Sequence, residues 1–83
     1  MADEFDEIEV MIVAGDIAGA AQRIGDLAEK LDRRVNERLR AVQTEYEAAV
    51  AAGKRDAQDE ANRQAQESLS GLLGKLRNLK AFL

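Results

Sequence analysis

The chain has 83 residues and a net charge of −4, with no Cys, His, Trp or Pro. That length fits one domain with a modest core, and the missing residue types exclude thiol nucleophiles, His-dependent triads and thiolate or imidazole metal sites. No apolar run approaches the ~20 residues of a membrane span and the first residues are acidic rather than signal-like, so a cytoplasmic protein, or one carried within a larger particle, is expected.

Ala and Leu supply most of the apolar content, and Phe5, Tyr46 and Phe82 are the only aromatics. Such a composition suits long helices and coiled coils, and the expected class is all-α. Charge is uneven along the chain. Residues 1–22 carry six acids and no base, while residues 68–83 carry Lys75, Arg77 and Lys80 and no acid. The acidic head and the basic segments can therefore pair within one chain or between chains.

Residues 1–14 form an acidic N-terminal segment in which Phe5, Ile8 and Ile12 share one helical face. The β-branched stretch Ile8–Val13 also suits a strand added to a partner's sheet. With no second strand candidate in the chain, a short helix is favoured, folded back over Ile17, Ile24 and Leu27 and the C-terminal Leu79, Phe82 and Leu83. The run Asp3, Glu4, Asp6, Glu7, Glu9 reads as a solvated helix start, or more sharply as a docking arm for a basic partner.

Gly15 suits a positive φ and Asp16 suits an N-cap, so a new helix begins there. Apolar triplets then recur every eleven residues: Val13-Ile17-Ala20, Ile24-Ala28-Leu31, Val35-Leu39-Val42, and Tyr46-Val50-Gly53. An eleven-residue period is close to that of a straight helix, which predicts one long helix over 16–52, roughly 54 Å in length. Asp26–Lys30 and Glu29–Arg33 have favourable spacing on its polar face.

Gly53 predicts a turn, with Asp56 as the cap of a second helix over 56–81; a glycine tolerated inside a continuous helix is the alternative. Folding at Gly53 aligns apolar layers: Val50 with Ala57, Tyr46 with Ala61, Val42 with Ala65, and Leu39 with Leu69. Val35 then meets Leu72, Leu31 meets Leu76, Ala28 meets Leu79, and Ile24 meets Leu83. The expected architecture is an antiparallel helical hairpin plus the short N-terminal helix, either closed as a three-helix unit or paired into a larger bundle. Within the second helix, Ser68–Gly74 is locally weak: its small residues either admit close packing or mark a bend.

No phosphate-cradling glycine loop or calcium loop is present, and the residues carry no family signature. No cofactor is implied and no enzymatic role is expected. Arg33, Arg34, Arg38 and Arg40 would suit phosphate contacts, but interleaved acids favour a salt-bridged solvent face. The tail from Leu69 to Leu83 resembles a basic membrane-surface helix, yet its leucines are wanted by the hairpin core. Tyr46 is expected to fill space above Ala61 and Ala65, with its hydroxyl at the edge of the helix pair.

The reading that fits best is a non-catalytic structural or adaptor protein, a homo-oligomer or a subunit docked on a virion, secretion or scaffold complex. Its seam would be Ile24, Leu31, Val35, Leu39, Val42, Tyr46, Leu69, Leu72, Leu76 and Leu79. Phe5, Ile8, Leu73 and Phe82 are the candidate contacts to an outside partner. Nucleic-acid association through the arginines and membrane-surface association through the tail are the lesser readings.

Overall fold

A computed structural model describes residues 3–82, and within them every regular element is helical. The order is α1 (Glu4–Val13), α2 (Ile17–Leu31), α3 (Val35–Ala51) and α4 (Arg55–Ala81).

Local chemistry sets the first boundaries. Asp3 caps α1 reciprocally: its carboxylate accepts from the Asp6 N–H at 2.9 Å, and the Asp6 carboxylate accepts from the Asp3 N–H at 3.3 Å. The helix ends at Gly15, whose φ of +86° a side chain would oppose. The Gly15 N–H donates to Ile12 O and the Asp16 N–H to Met11 O, which satisfies two of the final carbonyls. Asp16 then caps α2 by accepting from the Gly19 N–H at 3.1 Å. Residues 8–13 are therefore helix rather than strand.

The predicted long helix over 16–52 is instead two helices. Asp32 has extended backbone (φ −158°, ψ 102°), and its carboxylate accepts from the Arg34 N–H at 3.0 Å and Arg34 Nε at 3.2 Å. A short acidic side chain of this kind bonds the backbone two residues on and so competes with the helix, and the chain corners rather than continuing. Asn36 donates to Glu29 at 2.8 Å and steadies the corner. The longest extent of the molecule is 43 Å, too short for a continuous helix of ~54 Å.

Gly53 is a true turn, with φ +69° and its N–H donating to Val50 O. The second helix starts at Arg55 with Lys54 at the cap position, so Asp56 lies in the first turn and is not the cap. α4 then runs through Ser68–Gly74 without interruption, and a Cβ built on Gly71 or Gly74 would meet nothing within 4 Å.

α4 is the spine of the molecule. It packs against α1, α2 and α3, and α2 touches the other three, whereas α1 and α3 do not touch among the described residues. Ile24, Val35, Leu39, Leu69, Leu72 and Leu76 are buried, as the seam requires, and Leu31, Val42, Tyr46 and Leu79 pack half-buried against them. Phe5, Ile8 and Leu73 belong to this same core, at 2%, 0% and 4% exposure, and so are not free for an outside partner. α1 lays its apolar face across α2 and α4, and that contact covers them. The proposed layer of Ile24 with Leu83 lies outside the described residues.

Candidate functional site

The core is confined to one part of the molecule. It takes residues from α1 and α2, only the first two turns of α3 (Val35, Leu39), and α4 from Ala65 to Leu76. Beyond Leu39 in α3 and before Ala65 in α4, no described residue is buried. The hairpin therefore projects past the body as a two-helix arm, made of the second half of α3 and the first part of α4.

This arm is not polar throughout. Val42, Tyr46 and Ala49 from α3 meet Ala57, Ala61 and Ala65 from α4 along one groove, with Glu45 and Glu60 beside them. Tyr46 sits half-buried in that groove, over the alanines, as the large-against-small pairing predicts. The groove continues toward the body past Val42 and Ser68 to Gly71, Leu72, Arg38 and Lys75. The residues on the α4 side recur at helical spacing (60, 64, 68, 71, 75) beside the leucine seam. That polar and small-residue stripe was the signal in the sequence that the reading of the seam alone passed over.

The arginine cluster does not converge. Arg33 pairs with Glu29 at 3.5 Å and Arg34 with Asp32 at 3.2 Å. Arg38 lines the α3/α4 groove, while Arg40 shares with Arg33 a concavity between α2 and α3, among Asp26, Glu29 and Glu37. The four side chains thus serve two faces and a corner. Asp32 is held below the usual carboxylate range, first by the Arg34 side-chain hydrogen bond, then by the Arg34 N–H, with the Lys75 charge adding.

The acidic head pairs within the chain. Arg77 reaches Asp6 at 2.9 Å, Asp3 at 3.8 Å and Glu9 at 3.9 Å, and Arg23 reaches Glu7 at 3.1 Å. The Phe5 ring lies under Arg77 and Lys80, at 5.4 and 5.3 Å from its centroid. These pairs are exposed and individually weak, but together they orient α1 on α4. Gln66 adds a part-buried tie by donating to Ile12 O at 3.0 Å, a role that the apolar periodicity gave no sign of.

Leu69, Leu72, Leu73 and Leu76 are buried in the core and Leu79 is half-buried, so among the described residues the tail offers a bilayer Phe82, 90% exposed, but not a continuous apolar stripe. No helix among the described residues is long and apolar enough to cross a membrane, and none of their acidic side chains cluster in a way that could hold a metal ion. Comparison with protein-family models, curated proteins and solved structures gives no match to this chain.

Proposed function

We propose that this is a non-catalytic structural or adaptor protein, whose working surface is the α3/α4 groove presented to a protein partner. One observation carries this reading. The arm between Val42 and Ala61 keeps the apolar face of a core helix pair, and among the described residues Val42, Tyr46, Ala49 and Ala61 are only half-buried along it. Such a face exposed to water favours association, and an aromatic such as Tyr46 is well suited to its centre. The partner is a second copy or a larger assembly, such as a virion, secretion or scaffold complex. The division of the arginines between two faces argues against a phosphate grip. The burial of Leu69, Leu72 and Leu76 argues against a membrane-surface tail.

The test is a photo-crosslinking residue placed at Ala49, in the groove, and a control at Asp26, on the α2/α3 side, each in the native cellular setting. Crosslinked protein from Ala49 and not from Asp26 is the expected outcome. Crosslinks only from Asp26, or none from either, would contradict the reading. The arginine arrangement further predicts no retention on a DNA or RNA column at low salt. Retention that weakens steeply as salt rises would restore the nucleic-acid reading.

A further inference from the structure

The groove is electrically polar along its length. Toward the tip its rim carries Glu45 and Glu60; toward the body it carries Arg38 and Lys75. Among the described residues, Glu45, Arg38 and Lys75 have no ion-pair partner within 4.0 Å, whereas Glu60 pairs with Arg63, which does not line the groove. Arg38 and Glu45 lie seven residues apart, about 10 Å along α3, and Glu60 and Lys75 lie fifteen apart, about 22 Å along α4. The two ends of the groove meet at Val42 and Ser68, which line both.

We infer that a second copy of this chain occupies the groove, antiparallel to the first, about a twofold axis near Val42 and Ser68. This rests on the docking reading above and names its partner. A half-turn about that axis carries the acidic end of one copy onto the basic end of the other. Glu45 and Glu60 then face the partner copy's Arg38 and Lys75, and the same contacts repeat in reverse, as an isologous interface requires. A parallel arrangement would set like charges against each other and is disfavoured. Near the axis the groove is lined by Ser68 and Gly71, and the open space over Gly71 allows close approach. The apolar surface of Val42 and Tyr46 is covered in the same step.

The size of the groove sets the strength of the pairing. Ala57 to Lys75 spans about 27 Å of α4, and a helix pair is about 20 Å wide, which gives a footprint of roughly 500 Å² per copy. Standard stable complexes bury about 800 Å² per partner, so this dimer forms and dissociates with concentration.

The experiment is light scattering on three proteins. The wild-type chain should pass from one-chain to two-chain mass as concentration rises to the millimolar range, and the transition should move to higher concentration with added salt. The Arg38→Glu/Lys75→Glu variant makes both ends of the groove acidic, and the Glu45→Lys/Glu60→Lys variant makes both ends basic. Each alone should remain at one-chain mass with wild-type helicity, and an equimolar mixture should reach two-chain mass. A wild-type monomer at millimolar concentration, a variant that dimerises alone as the wild type does, or a mixture that stays monomeric would each overturn the pairing. If a variant loses helicity, the salt series on the wild-type protein remains decisive, because a dimer indifferent to salt contradicts the charge pairing. A crosslink from Ala49 to a different protein, with the wild-type chain monomeric, overturns this inference and leaves the docking reading standing.

Discussion

At the residue scale, the same substitution has different consequences at two glycines. Gly74 is exposed, sits inside α4, and a Cβ there meets nothing within 4 Å. Gly74→Ala should therefore stabilise the protein by about 1 kcal/mol in urea unfolding, the usual helix-propensity difference. At Gly19 the added carbon would crowd the Asp16 carboxylate and come within 2.8 Å of Met11 Cε. Both are ends of flexible side chains that can swing aside, so little overpacking results; what is lost is the Asp16 cap, about 1 kcal/mol, which offsets the propensity gain of about 1 kcal/mol. Gly19→Ala should thus leave the urea midpoint nearly unchanged; a rise as large as that of Gly74→Ala would mean that the Asp16 cap adds nothing to α2.

The carboxylates give a pH dependence whose sign is fixed. Asp3 is held below its ordinary value of 3.8, first by the Asp6 N–H and, against an opposing desolvation penalty, also by the Arg77 charge. Asp32 is held down by Arg34. A carboxylate with a lowered folded-state pKa adds stability above its unfolded value, and that stability is lost as pH falls through 3.8 toward the folded value. The melting temperature should therefore drop between about pH 5 and pH 2, and Asp3→Asn and Asp32→Asn should each reduce the size of that drop. A slope unchanged by either substitution would place the acid sensitivity elsewhere.

At the scale of elements, boundaries that depend on glycine were legible and the one that depends on a side chain was not. Gly15-Asp16 and Gly53 mark their turns in the sequence because a positive φ singles out glycine. The corner at Asp32 left no such mark. The eleven-residue period runs through it, since Leu31 and Val35 both still face the core, and Asp32 reads locally as one more polar-face residue. Its turn-forming role appears only when the Arg34 N–H is seen to donate to it. Asp32→Ala should loosen the corner and lower the melting temperature, with Asp32→Asn or Asp32→Ser recovering part of the loss. The N-terminal helix shows the converse. Its apolar face and its return over α2 and the C-terminal segment were legible, but Phe5 and Ile8 were also read as free for a partner, because the ties from Arg77 and Gln66 that hold α1 down link residues more than fifty positions apart.

At the scale of the whole molecule, the seam residues act within one copy. Leu69 is fully buried, and truncating such a leucine costs about 2–5 kcal/mol, against the 4–12 kcal/mol or so of total stability usual for a chain of this size. Leu39→Asp and Leu72→Asp, at 4% and 6% exposure in the wild-type chain, should therefore abolish helicity and not merely change solution mass. The sequence periodicity located these residues correctly but could not separate the seam inside a copy from the surface between copies, since both are apolar at helical spacing. That distinction came from where burial stops along α3 and α4. It leaves a helical body to which all four helices contribute, and an arm whose groove carries Glu45 and Glu60 toward the tip and Arg38 and Lys75 toward the body.

The most direct test of that arm as a self-pairing surface is a dilution series of backbone amide chemical shifts on the wild-type protein. The shifts should move with concentration at groove positions such as Tyr46, Ala49, Ala61 and Gln64, and stay fixed along α1. Shifts that move instead at the exposed Val10 and Val13, or nowhere at all, would contradict pairing through the groove.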